Sequence, residues 1–403
     1  MHSRTDVLIL GAGLAGLRAA WAAAEACPGL EVTLATLLPG PSGSSFANRN
    51  GNLGMQLPLG ERERERFVRE AVWLASPGMV DHDLVQILAN EAEPRFRELE
   101  ALGLKFRYGT DGRLLRRNGC FSPFPRAAVF DDLAHAHGLF QDKAVSLGVR
   151  FRSGLEVLGL EIESGRVAGA RLRPRPGSGT AGEGDSEIIR AKAVVMALGG
   201  PAPLAERHTA GPGNPGLSWQ MLQAAGARME NTDYLQYFWM SLPGMRYRSP
   251  AEIAGPDAVA MTPDGREVAP SAKVMALADA RRTHCPAAWG PVEYEGEQVH
   301  DYGMDQWLQA QTNESGVVRV KVGKGEWEEV ALFAHAGNGG ALINAHGAVL
   351  AAGTDQSLPG LFACGECATG MHGANRLGGA MITATQVFGK RAGEAAARFA
   401  MTA

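Results

Sequence analysis

The turn Gly11-Ala12-Gly13-Leu14-Ala15-Gly16 lies between the apolar run Val7 to Leu10 and the alanine-rich segment Leu14 to Ala26, and it fixes how the chain must start. In such a turn a first glycine makes the tight bend, a second lets a pyrophosphate reach the backbone, and a third lets helix lie against strand. Phosphate charge then falls on free amides at a helix N-terminus. A second apolar run, Glu31 to Thr36, follows at the distance a βαβ unit requires. The spacing predicts an α/β sheet and a bound dinucleotide, with Gly11, Gly13, Leu14, Ala15 and Gly16 in the phosphate turn and Thr36 closing the second strand. The acidic residue that would grip a ribose is missing, since Ala35 and Thr36 stand there. That weakens NAD and leaves FAD open.

At 403 residues the chain exceeds one ordinary core, so it is expected to form two domains or a large one with a smaller insertion. A net charge of −4 leaves no footprint for nucleic acid or an anionic membrane. Five cysteines without a paired framework suit a reducing compartment, so a cytoplasmic location is expected. Arg4, an apolar stretch and AAWAAA imitate a signal peptide, yet cleavage there would destroy the glycine turn. Arg18 interrupts the best apolar span, so no membrane crossing is expected.

Beyond the second strand, Pro39 to Ser45 and the Gly/Asn-rich stretch to Gly54 must be loop. Ser42, Gly43 and Ser44 suit either a second approach to the cofactor or a plain surface turn. Glu61 to Glu70 alternates acid and base, which fits a solvated helix or a docking face for an electron-transfer protein. Asp81 to Leu102 reads as helix closed by Gly103, and Leu133 to Val149 is helical in pattern. Strand-like pieces follow at Arg150–Arg152, Glu156–Ile162, Arg166–Leu172 and Glu187–Arg190, with a Pro/Gly/Ser-rich hairpin tip at Pro174–Ser186. Ala193 to Leu198 returns to the first sheet and brings Ala197 and Gly199 to its end. No second glycine fingerprint follows, so the expected electron partner is oxygen, a quinone or a redox protein rather than NAD(P)H. Ser218 to Met229 reads as helix and Tyr234 to Met240 as strand. From Ser241 to Val330 the composition shifts to more Pro, charge and Trp, which marks an inserted domain with a helix at Lys273–Arg282.

Gly365-Glu366-Cys367, His372 to Gly379 (HGANRLGG) and Val387-Phe388-Gly389 resemble the C-terminal signature of the succinate dehydrogenase and fumarate reductase flavoprotein family, which includes L-aspartate oxidase. The resemblance extends through Asp233 to Tyr237, His335 and Asn344 to Gly347. It implies an α/β fold: a Rossmann-like FAD-binding domain with a β-meander, residues 1–237 and 335–403, plus an inserted α+β capping domain, residues 238–334. Gly365 and Glu366 would face the cofactor, Glu366 at the adenosine ribose. Gly379, Ala380, Met381 and Ile382 would bring a helix N-terminus to the flavin, where it stabilises negative charge on the reduced ring. Arg376 would bind a substrate carboxylate beside the ring and also touch the cofactor, with His335 and His372 as neighbouring ligands. Many members carry a further helical extension, and this chain stops near Met401.

Several positions depart from the family. Gly43 stands where a histidine tethers FAD covalently in many relatives, so non-covalent FAD is expected. Phe238-Trp239-Met240 replaces a His-Pro-Thr substrate ligand set, and Ser271 replaces a proton-shuttling arginine. A hydroxyl cannot substitute for a guanidinium as counter-charge. Succinate, fumarate and aspartate are therefore poor fits, and a small organic acid with a carboxylate and a partly apolar body fits better. Packing of the cap hinge explains the same three residues equally well. Arg281, Arg282 and His284 are either a substitute base or exposed helix-end charges. Tyr234 and Tyr237 are either donors or core. Cys364 and Cys367 lack the second pair that a zinc site needs, so no metal is expected. The reading is an FAD-dependent oxidoreductase working by hydride transfer at flavin N5. Amine or amino-acid oxidation, and an electron-transfer or structural subunit alongside an iron–sulfur protein, remain open beside it.

Overall fold

The computed structural model describes residues 2–175 and 186–403, so the expected hairpin tip lies mostly outside the described residues. The first apolar run is strand β1 (His2–Leu10), and Gly11 turns at φ 106° into α1 (Leu14–Ala26). After β2 (Val32–Thr36) come β3 (Asn52–Gln56), α2 (Gly60–Leu74), α3 (His82–Leu102), β4 (Ala127–Asp131), α4 (Leu133–Ser146) and β5 (Arg150–Ser153). Asp81 caps α3 by accepting from the Asp83 and Leu84 amides, and Gly103 ends it in the left-handed region at φ 99°.

Next, β6 (Leu155–Glu163) and β7 (Arg166–Pro174) form an antiparallel pair, followed by β8 (Glu187–Met196). The sequence pattern separates Glu187–Arg190 from Ala193–Leu198, but the fold joins them in one strand. Lys192 does not break it, because its ammonium reaches the Asp6 carboxylate at 2.9 Å. β8 thus pairs antiparallel with β7 on one side and parallel with β1 on the other. Helix α5 (Ser218–Ala224) is shorter than the expected Ser218–Met229, because Gly226 adopts φ 85° and redirects the chain.

The next part of the chain builds a separate antiparallel sheet. It comprises β9 (Leu235–Ser241), β10 (Ala258–Met261), β11 (Glu267–Val268), β12 (Val317–Val322) and β13 (Glu328–Gly337), with α6 (Ala272–Thr283) packed near it. Its order is β9-β13-β12-β10-β11, over a core containing Ile253, Leu277, Met304, Leu308 and Val320. The expected limits at 237/238 and 334/335 cut through β9 and β13, which pair from Leu235↔Gly337 to Ser241↔Val330.

The chain then re-enters the first sheet through β14 (Ala348–Leu350) and β15 (Ser357–Ala363) and ends in α7 (Ala380–Thr402). The main sheet runs β14-β15-β8-β1-β2-β5, with β15, β8, β1, β2 and β5 mutually parallel. Both faces are covered, as a parallel sheet requires. Val7 and Ile9 enter one core, Leu8 and Leu10 the other. Glycines let α7 approach α1 closely: a Cβ at Gly393 would stand 2.2 Å from the Ala19 carbonyl, and one at Gly389 3.1 Å from that of Ala15. Arg18 is buried in α1, ion-paired to Glu98 and lying over the Trp21 ring. Among the described residues no helix is long and apolar enough to cross a membrane.

Candidate active site

In an open parallel sheet a ligand binds beyond the carboxyl ends of the strands, where their order reverses. There the ends of β1, β2, β8 and β15 open on one groove. Gly11, Gly13, Leu14, Ala15, Thr36, Ser42, Gly43, Ser44, Ala197, Gly199, Gly365, Glu366 and Met381 line it. Gly13 caps α1 without a side-chain bond, leaving first-turn amides free, and a Cβ there would meet nothing within 4 Å. Gly16 acts differently, since its Cβ would stand 1.9 Å from the Gly11 carbonyl oxygen. Its small size seats the helix rather than the ligand.

The turn before α7 also depends on close approach. Gly379 takes φ 87°, and a Cβ on it would lie 2.8 Å from the Gly54 carbonyl of β3. Gly379 caps α7 with no side-chain bond, Ala380 is buried and Ile382 half-buried behind it. Gln56 donates to the Gly378 carbonyl at 2.7 Å, while its own buried oxygen has no partner. Free amides at two helix starts, and an orphaned acceptor beside the second, fit an anionic, ring-bearing dinucleotide.

Glu366 follows β15 and accepts from the Gly337 amide at 2.7 Å. Gly200 leaves it room, because a Cβ there would be 2.1 Å from the carboxylate. Burial pushes this carboxyl up to about 7. Its strand is separated from β2 by β8 and β1, so Glu366 and Thr36 stand roughly 14 Å apart across the groove and would address different parts of one ligand.

Arg376 is 8% exposed, and among the described residues its guanidinium bonds to no carboxylate. Its buried Nε has no acceptor. Burial lowers its affinity for a proton, while the nearby Glu366 and Cys120 act in the opposite sense. His335 and His372 both lie close enough to feel its charge. Burial first, then Arg376, takes each down to about 3, so both rings stay neutral at ordinary pH. His335 Nδ1 shares a 2.9 Å hydrogen bond with Thr209 and stacks on Phe238 at 4.1 Å. The buried His372 Nε2 has no partner. The three residues expected to act on substrate therefore converge.

Next to this cluster a cavity of about 550 Å³ opens between the antiparallel sheet and the main body. Its walls include Cys120, Phe121, Phe238, Trp239, Tyr247, Arg281 and Asn375. Phe238 and Trp239 contribute to its wall; Trp239 also belongs to the core with Ile253 and Leu277, and Phe238 packs with Met240 against Ala331 and Phe333. Ser271 caps α6 by accepting from the Val274 amide at 3.3 Å.

Other expected positions differ. Arg281 is not a free helix-end charge: it is ion-paired to both Asp301 and Asp305, with its side chain 19% exposed. Tyr234 and Tyr237 are not core, being 39% and 49% exposed. Cys364 and Cys367 are buried free thiols, with burial raising Cys367 to about 12, which suits packing rather than redox exchange.

Several groove residues carry no local signal in the sequence. The stretch Gly211-Pro212-Gly213-Asn214 reads only as a turn, yet Gly213 and Asn214 line the groove and the Gly213 amide donates to the Ser42 carbonyl at 2.9 Å. Cys120 is joined to the glycine turn by the bond from the Gly378 amide to its carbonyl, 2.8 Å. Only its neighbour Gly119 hints at this, where a Cβ would strike the Gly378 carbonyl at 2.2 Å.

The model of the FAD binding domain family matches residues 6–382. L-aspartate oxidase of Streptomyces coelicolor is 29% identical over 96% of this chain and 67% of its own length. The 8-methylmenaquinol:fumarate reductase flavoprotein subunit of Wolinella succinogenes is 27% identical over 99% of this chain and 66% of its own. Among solved structures, the quinol fumarate reductase of E. coli superposes with a TM-score of 0.76 at 23% identity, covering 100% of this chain and 71% of that one.

Proposed function

The chain belongs to the succinate dehydrogenase and fumarate reductase flavoprotein family and is an FAD-dependent oxidoreductase; on that premise we propose that it exchanges a hydride with a carboxylate substrate whose body is largely apolar. One observation carries the substrate reading. Arg376 is a buried guanidinium that forms no ion pair with any carboxylate among the described residues, and it feels both Glu366 of the FAD groove and Cys120 of the aromatic cavity. A buried charge left so is costly unless a ligand brings its partner.

In this reading the unit from Leu235 to Gly337 is the cap, and substrate lies between it and the main body. Gly11, Gly13, Leu14, Ala15, Gly43 and Ala197 hold the FAD phosphates and ribityl chain, Thr36 and Glu366 its outer hydroxyls, and Gly379 with the first residues of α7 its ring edge. When bound, FAD supplies a two-electron donor or acceptor able to pass a hydride. Arg376 forms a planar fork to the carboxylate. Neutral His335 and His372 offer ring nitrogens to the same acid without adding charge. The cap aromatics exclude water from the reacting carbon.

The test is a panel of carboxylates, amines and amino acids added anaerobically to the FAD-loaded enzyme, with loss of the flavin band as readout. Bleaching by acids with an apolar body, and not by amines, is the expected result. A second reading rests on the aspartate oxidase relative: bleaching confined to amino acids, with ammonia and hydrogen peroxide released in air, would replace the first. The electron partner proposed is a quinone or a redox protein, with oxygen as the alternative; the Wolinella relative is by its name a flavoprotein subunit acting with a menaquinol.

The FAD is held without a covalent bond in this proposal, because Gly43 offers no imidazole and a Cβ there would stand only 3.0 Å from the Gly13 Cα. Acid precipitation should leave the yellow colour in the supernatant. A yellow pellet would refute it.

A further inference from the structure

The cavity beside Arg376 has walls more specific than an apolar body requires. Phe238 and Tyr247 meet edge to face, ring centroids 5.1 Å apart at 64°, and Phe121 and Trp239 also line the cavity. Aromatic rings prefer such offset and edge-on neighbours. A volume of about 550 Å³ falls in the range of pockets that enclose drug-sized ligands.

The polar groups of the wall discriminate further. Arg281 is fully committed to Asp301 and Asp305, and the Trp239 indole donates to Asp305 at 2.8 Å. The wall also carries Arg248, paired to Glu252 and Glu328, and Arg282, so charge alone does not sort one acid from another there and the aromatic corner does. Tyr247 differs from its neighbours. Its hydroxyl makes no hydrogen bond among the described residues, burial keeps it protonated, and its backbone is fixed by the bridge to Met240. A half-buried phenol in the cavity wall with its donor uncommitted is free to bond an acceptor on a ligand.

Resting on the carboxylate role of Arg376, we propose that the cavity takes an aromatic monocarboxylate, its ring in the Phe238–Tyr247 corner and a neutral oxygen substituent at its far end accepting from Tyr247. Arg376 then holds one end and Tyr247 the other, and a dicarboxylate without a ring leaves the aromatic corner unfilled. Tyr247 is a specificity residue in this arrangement and takes part in no bond change.

The FAD-loaded enzyme titrated with succinate, 2-naphthoate and 6-hydroxy-2-naphthoate, with the flavin band as readout, tests this. Both naphthoates should bind at least about tenfold more tightly than succinate. The hydroxyl should add about three- to tenfold, and Tyr247→Phe should abolish that margin while leaving the Kd of 2-naphthoate within about twofold. Equal or tighter binding of succinate overturns the proposal, as does a hydroxyl margin that survives in Tyr247→Phe. If none of the acids perturbs the flavin, or if Arg376→Gln leaves all three affinities unchanged, the carboxylate reading itself falls and takes this one with it.

Discussion

Arg376→Leu will lower turnover of whichever acid bleaches the flavin by about two to three orders of magnitude, because truncating one partner of a buried charge pair costs about 2–5 kcal/mol. The protein should remain yellow, since the groove at the ends of β1, β2 and β8 does not depend on this side chain. A second consequence separates a binding role from a structural one. The guanidinium is buried and ion-paired to nothing among the described residues, with Nε lacking any acceptor. Exchanging a buried charge held in no ion pair for an apolar group of similar bulk is often neutral or stabilising. The variant should therefore melt at the same temperature as the parent or higher when no acid is present. Lower activity with undiminished stability is the signature of a site residue held against the preference of the fold. A variant that melts well below the parent, or turns over normally, would remove Arg376 from the chemistry.

The sequence makes legible those parts of the site whose chemistry sits within one short stretch. The turn from Gly11 to Gly16 carries its meaning in its spacing, and the run from His372 to Gly379 carries Arg376 together with the glycines that start α7. What stays hidden depends on contacts between distant segments. Gln56 meets Gly378 across a separation of 322 residues, and no local pattern announces it. Arg281 looks like a helix-end charge because its partners, Asp301 and Asp305, arrive 20 and 24 residues later through a turn of weak periodicity. The same reasoning explains the sheet. Glu187–Arg190 and Ala193–Leu198 look separate because Lys192 interrupts the apolar pattern, and only the position of Asp6 on the adjoining strand shows why a lysine belongs there. Tyr247 carries no signal at all. It is one aromatic in a cap where the chain is short of regular periods, and its place in the wall comes from the bridge to Met240.

Gly13→Ala and Gly16→Ala, two substitutions of the same size three residues apart, should fail in opposite ways. At Gly16 the added carbon would sit 1.9 Å from the Gly11 carbonyl oxygen and 3.3 Å from the Ala197 Cβ. Backbone cannot yield by that much without moving α1 off the sheet, so the expected loss is several kcal/mol, seen as insoluble or early-melting protein with or without added FAD. At Gly13 the added carbon meets nothing within 4 Å. The ligand-free fold should then lose no more than about 1 kcal/mol, from exchanging a tolerated N-cap residue for a poor one. That carbon would occupy the space in front of the α1 amides that a pyrophosphate needs, and each charge-assisted hydrogen bond lost there is worth about 1.5–3 kcal/mol. FAD affinity should fall by about ten- to a hundredfold for one such bond. Because a ligand stabilises in proportion to the logarithm of its concentration over Kd, the upward shift of the melting curve on adding FAD should shrink in Gly13→Ala while the ligand-free curve stays in place. Melting curves of both variants with and without FAD give the comparison directly. Retention of the full FAD-induced shift in Gly13→Ala would mean that the cofactor does not approach the chain at this turn.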